Sequence, residues 1–147
     1  MSLTEAAELT QKGLLALQNG HSFLAMTYLE QAMRYGKTPL IASNLAYCHA
    51  LNGRDLDKSV ELGQEALQAE PGNPAFSLNL GRVLLLAGRK DEAIAVFRQG
   101  LAHSPNPELI AQLEQLGTRK PPIFRALPRH HFLNKCGGQL LSLFGFR

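Results

Sequence analysis

The sequence predicts an all-α fold: a solenoid of three antiparallel helix hairpins with a C-terminal capping helix and an irregular tail. Three observations carry that prediction. Small residues recur at a fixed period, apolar residues between them recur at helical spacing, and a glycine or proline closes each run. Gly13, Ala46 and Gly81 are 33 and 35 positions apart, and so are Gly20, Gly53 and Gly88. Ala25, Ser59 and Ala93 are 34 and 34 apart, as are Ala32, Ala66 and Gly100, and Pro71 and Pro105 close two units at the same 34. Small side chains in such columns let paired helices approach closely, because a bulky group there would hold the axes apart.

Taken in order, the elements follow from local signals. A helix over 3–18 starts at Ser2, with Glu5 placed to complete a capping box, and stops before Gly20. Its hairpin partner runs over 22–35. Thr38-Pro39, Asn73-Pro74 and Asn106-Pro107 each place a capping oxygen before a first-turn proline, which starts helices at 39–51, 74–87 and 107–116. Gly53 and Gly88 turn the chain into helices at 56–70 and 90–103. Within the third unit Leu80, Val83, Leu84 and Ala87 share one face, and Ala93, Ile94, Phe97 and Leu101 answer them from the next helix. The hairpins thus cover about 3–36, 39–71 and 74–105. The helix over 107–116 turns Leu109, Ile110, Leu113 and Leu116 inward and Glu108, Gln112, Glu114 and Gln115 outward, as a terminal cap requires.

Composition excludes several classes. The chain has 147 residues, 45% of them hydrophobic, enough for one folded domain without disulfide staples. Its two cysteines, Cys48 and Cys136, form no framework and read as reduced thiols in a cytoplasmic compartment. The start, MSLTEAAELTQ, lacks the basic and apolar regions of a secretory signal, and no apolar run approaches the roughly 20 residues a membrane span needs. Residues 1–117 hold nine basic and twelve acidic side chains, whereas 118–147 hold six basic and none acidic, so a mildly acidic body carries a basic tail.

Catalytic and metal-binding signatures are absent. There is no phosphate loop, GxSxG or HExxH, so no residue is assigned a catalytic role. His130 and His131 are adjacent and Cys136 follows at no zinc spacing, so neither a metal nor any other cofactor is expected. Glu61 with Glu65, and Asp91 with Glu92, read as solvated helix faces, and Cys48 as a small buried apolar group.

Over residues 6–105 the sequence resembles the tetratricopeptide repeat family. Leu80-Gly81, Leu84, Gly88, Ala93, Phe97, Gly100 and Pro105 stand where that family's signature residues fall. Lys12, His49 and Gly63 depart from it, each standing where the pattern prefers a leucine, an aromatic or a large apolar residue. The resemblance implies a right-handed superhelix whose first helices line a concave groove. Onto that groove it maps Thr10, Leu14, Leu17 and Gln18, then Ser43, Tyr47, Ala50 and Leu51, then Leu78, Arg82, Leu85 and Leu86. Beside them runs an amide ladder, Gln11, Asn44 and Asn79, which either pairs with a peptide backbone or satisfies neighbouring turns and water. Positions that carry basic residues in carboxylate-binding members hold Thr10, Leu14, Ala75 and Asn79 here, with Asn44 as the one match, which argues against a clamp of that kind. Arg82 either meets one acidic group or stays a solvated side chain.

The tail breaks the helical pattern. Pro121, Pro122 and Pro128 favour extended backbone over 118–129, and a short helix is expected near 138–145. Phe132, Leu133, Leu140, Leu141, Phe144 and Phe146 need an apolar surface to dock on. Three destinations are open: the repeats of the same chain or of a second copy, giving a homodimer; another protein; or an anionic membrane surface. Nucleic acid is disfavoured, since basic residues are scattered singly with no stripe on the body. The expected function is a non-catalytic adaptor or scaffold that holds a peptide, helix or partner surface in the concave groove. The alternatives are self-assembly through the tail and peripheral membrane recruitment.

Overall fold

A computed structural model describes residues 3–117 of the chain. Ser2 and the tail residues Phe132, Leu133, Cys136, Leu140, Leu141, Phe144 and Phe146, together with the helix expected near 138–145, lie outside the described residues. Seven helices follow in order: α1 Leu3–Gln18, α2 Ser22–Tyr35, α3 Pro39–Leu51, α4 Leu56–Ala69, α5 Pro74–Leu86, α6 Lys90–His103 and α7 Pro107–Gln115. Among the described residues there is no strand, and no helix is long and apolar enough to cross a membrane. One compact unit runs through Leu113; of a second, beginning at Glu114, the described residues are 114–117.

The starts of α3, α5 and α7 and the turns within the hairpins have the physical causes read from the sequence. Thr38 Oγ1 accepts the Ile41 N–H at 3.2 Å, Asn73 Oδ1 accepts that of Ala75 at 3.1 Å, and Asn106 Oδ1 accepts that of Leu109 at 3.0 Å, each satisfying a first-turn donor. Gly20, Gly53 and Gly88 adopt φ of 80°, 67° and 74°, the left-handed conformation that reverses the chain. Gly117 repeats it after α7 at 69°. In the longer second turn Asp55 caps α4 by accepting the Lys58 N–H at 3.2 Å.

Packing within the hairpins is a matter of complementary size. A Cβ at Gly81 would fall 2.0 Å from Phe97 Cε1, and one at Gly13 would fall 2.8 Å from Leu29 Cγ, so glycine on the first helix faces a large residue on the second. The middle hairpin departs from the arrangement, with the small Ala46 opposite Gly63. Gly63 therefore leaves no void where the family pattern prefers bulk. Leu80 of the next hairpin fills the place, its Cδ1 3.1 Å from where a Gly63 Cβ would stand.

Hairpins stack through the second helix of one and the first helix of the next, α2 on α3 and α4 on α5. Residues such as Met26, Leu29, Leu45 and Cys48 close the first junction, and Ile41, Phe76, Val83 and Leu84 are likewise removed from water. Lys12 occupies the column of Leu45 and Leu80, which are buried against a preceding hairpin; Lys12 itself is exposed. Cys48 is fully buried, and burial pushes its thiol up to about 12. The expectation that Ile110 points inward is corrected. Leu109 is fully buried, but Ile110 is 43% exposed. It aligns with Ala42 and Ser77, which the second helix of their own hairpin covers, and among the described residues no such helix follows α7.

Candidate functional site

Curvature follows from which helices touch. α3 packs beside α5 and α1 touches α3, whereas α2, α4 and α6 make no contact with one another among the described residues. The row of first helices is therefore the tighter one, and the stack bends with α1, α3 and α5 on the inside.

The residues assigned to this face divide into three groups. Gln11, Gln18, Leu51 and Leu86 are exposed, and Thr10, Leu14, Leu17, Tyr47, Arg82 and Leu85 are half-buried. Ser43, Asn44, Ala50, Leu78 and Asn79 are buried, so they form the floor beneath the groove rather than its contact surface. The close approach of α3 to α5 covers them. Leu17 is also corrected in part, since it packs against the core of the first hairpin.

The amide ladder is tied together internally. Asn79 Nδ2 donates to Ser43 Oγ at 3.1 Å and to Asn44 Oδ1 at 3.2 Å, and Asn44 Nδ2 donates to the Leu40 carbonyl at 2.8 Å. Both N–H groups of the Asn79 amide are thereby used between hairpins. The valences the pair leaves unused are Asn79 Oδ1, the second lone pair of Asn44 Oδ1 and the second N–H of Asn44. Gln11 stands apart on α1, exposed.

Arg82 is engaged as well. Its Nη2 lies 3.6 Å from Glu108 Oε2 on α7, and its guanidinium carbon stands 5.6 Å from the centroid of the Tyr47 ring. A carboxylate and a π face thus hold the one permanent charge on α3 and α5. Between α1 and α3 a cleft of about 430 Å³ opens, lined by Ala6, Thr10, Leu14, Tyr35, Leu40 and Ile41 among others, none of them charged. Leu40 at its edge is 42% exposed, Leu51 41% and Leu86 47%. The charged features lie elsewhere. His49 Nε2 meets Glu30 Oε1 at 3.1 Å, in a crevice that Asp55, Lys58 and Glu61 also line. Among the described residues no cluster of histidine, cysteine and carboxylate could hold a metal ion.

Two groove residues were missed, although the period contained them. Ala7, Leu40, Ala75 and Glu108 form one column at 33, 35 and 33 residues. Carrying the repeat into α7 places Glu108 beside Arg82, and also extends the amide ladder to Gln112.

Comparison with known proteins agrees with this architecture. Two family models, each described as tetratricopeptide repeat, match residues 10–74 and 50–116. Among solved structures, the first TPR of Spaghetti (RPAP3) bound to HSP90 peptide SRMEEVD is 16% identical, the match covering 80% of this chain and 96% of that one at a TM-score of 0.64. The Sgt2 TPR domain from Aspergillus fumigatus is 17% identical over 89% and 93% at 0.65, and MamA from MSR-1 is 24% identical over 76% and 67% at 0.55. At these identities the likeness is one of fold.

Proposed function

The chain belongs to the tetratricopeptide repeat family, and from that premise we propose that it is a non-catalytic scaffold that holds a peptide, helix or surface of a protein partner in its concave groove. The observation that carries this reading is the row of water-exposed apolar side chains, Leu40, Leu51 and Leu86, on the inner helices. Burial of those side chains and of Tyr47 supplies affinity. A neighbouring structure carries an HSP90 peptide, which supports peptide capture as a use of this architecture. Two cysteines without a disulfide framework support a cytoplasmic location.

The test is affinity purification of the full chain beside a Leu51→Asp/Leu86→Asp variant and a Phe23→Asp variant. Phe23 is 66% exposed on α2, away from the inner row, and serves as the surface control. A partner retained by wild type and by Phe23→Asp but lost from the groove variant supports the reading. Equal retention by all three refutes it. The tail supports a second reading, self-assembly, because Phe132, Leu133, Leu140, Leu141, Phe144 and Phe146 are too apolar to be left in water. Light-scattering mass of the full chain distinguishes it: a monomer across the micromolar range removes the homodimer.

A further inference from the structure

The part of the inner face built by α3 and α5 is notable for how little charge it offers. α3 and α5 have thirteen residues each, and Arg82 is the one permanently charged side chain between them. The cleft between α1 and α3 has an uncharged lining, and the exposed side chains at Leu40, Leu51 and Leu86 are aliphatic. Arg82, the group an acidic ligand would seek, already faces Glu108 at 3.6 Å and the Tyr47 ring. Glu108 is itself 67% exposed at its side chain, so a carboxylate approaching Arg82 would meet a like charge first. A ligand carboxylate over α3 and α5 would lose hydration with no unpaired cation on those helices to replace it. A basic ligand over α3 and α5 finds no acid on either helix, and Glu108 at their edge already faces Arg82.

We propose that the groove selects a neutral, apolar segment of a protein partner, and that Glu108 sets this selectivity by holding Arg82. The inference rests on the groove reading above and adds the chemistry of the occupant. Glu108 acts here as a repulsive element as much as a partner to Arg82: specificity arises from penalising the wrong ligand as well as rewarding the right one. Its position one residue after the α7-opening proline ties that selectivity to the docking of α7, which Leu109 secures by full burial.

The test uses two fluorescein-labelled peptides of the same shape, Ac-SLLQSLLNQLLQS-NH2 and a twin with every glutamine replaced by glutamate, titrated with the full chain in an anisotropy assay. The neutral peptide is expected to bind, with the acidic twin weaker by about tenfold or more. Glu108→Gln frees Arg82 and is expected to shift the acidic-to-neutral affinity ratio toward the acidic twin by about threefold to tenfold, a gain that Arg82→Gln on the same background removes. If the acidic twin binds wild type as tightly as the neutral peptide, or if Glu108→Gln leaves the ratio unchanged, the selectivity proposal is overturned while the groove reading stands. If neither peptide binds, or if Leu51→Asp/Leu86→Asp leaves neutral-peptide binding intact, the groove reading itself fails and this proposal with it.

Discussion

Replacing Gly81 by alanine adds one methyl group where the hairpin has no room. The new Cβ would stand 2.0, 2.5 and 2.6 Å from Cε1, Cζ and Cδ1 of Phe97, a ring with no solvent exposure. Carbon atoms in contact prefer about 3.5–4.0 Å, so the ring or the helix has to retreat by roughly 1.5 Å into packed surroundings. Overpacking of this kind costs about 1–3 kcal/mol, and a rigid ring that cannot swing aside puts it at the upper end. Alanine recovers about 1 kcal/mol of helix propensity relative to glycine, which leaves a net destabilisation of about 2 kcal/mol. At about 4 °C per kcal/mol for a unit of this size, the melting temperature of the full chain should fall by roughly 8 °C in far-UV circular dichroism, with a matching loss in urea. Gly63→Ala is the internal control. Its Cβ meets the flexible end of Leu80 at 3.1 Å, so accommodation and propensity should cancel to within about 1 kcal/mol. A Gly81→Ala protein as stable as wild type, or a Gly63→Ala protein that is the weaker of the two, refutes the size-complementarity account of the hairpins.

Further predictions come from particular groups. Ser77 Oγ is buried with no hydrogen-bond partner, and the matching position in the preceding hairpin is Ala42; Ser77→Ala should leave stability unchanged or raise it by about 1 kcal/mol, measured as the urea midpoint. The Lys58 N–H bonded to Asp55 holds that carboxyl below the ordinary carboxylate value, so the stability it contributes is fully present above an unfolded value of about 3.9 and is lost as pH falls through the lowered folded one. An acid titration of melting temperature should accordingly be shallower for Asp55→Asn, which still caps the helix but does not titrate. Burial that holds the Cys48 thiol up at about 12 should keep it unmodified by iodoacetamide at neutral pH, with mass spectrometry finding the label at Cys48 only after denaturation.

The helices were legible because their causes are local. A capping oxygen, a first-turn proline and a left-handed glycine act within four residues of where they stand, and each of the seven helices ends within one residue of its expected place. The inner face was legible only as a register. The period puts Leu14, Tyr47 and Arg82 in one column, but it cannot say that Ser43 and Leu78, in another column, are buried where α3 meets α5. Gly63 shows the same division. From sequence it is a small residue where bulk is preferred, and only the packed neighbour reveals that Leu80 supplies the missing volume.

By itself the sequence determined the period, the helix hairpins, the turns and the aliphatic character of the inner helices, since all of these depend on residue type at short spacing. The tertiary structure alone decided which of those side chains meet water, that Asn79 commits both N–H groups to Ser43 and Asn44, and that Arg82 is held by Glu108 rather than free. Those outcomes depend on how far one helix axis lies from the next. That distance is set by the summed fit of glycines against Leu29 and Phe97 and of Leu80 against Gly63, a many-residue quantity that no single position in the sequence encodes.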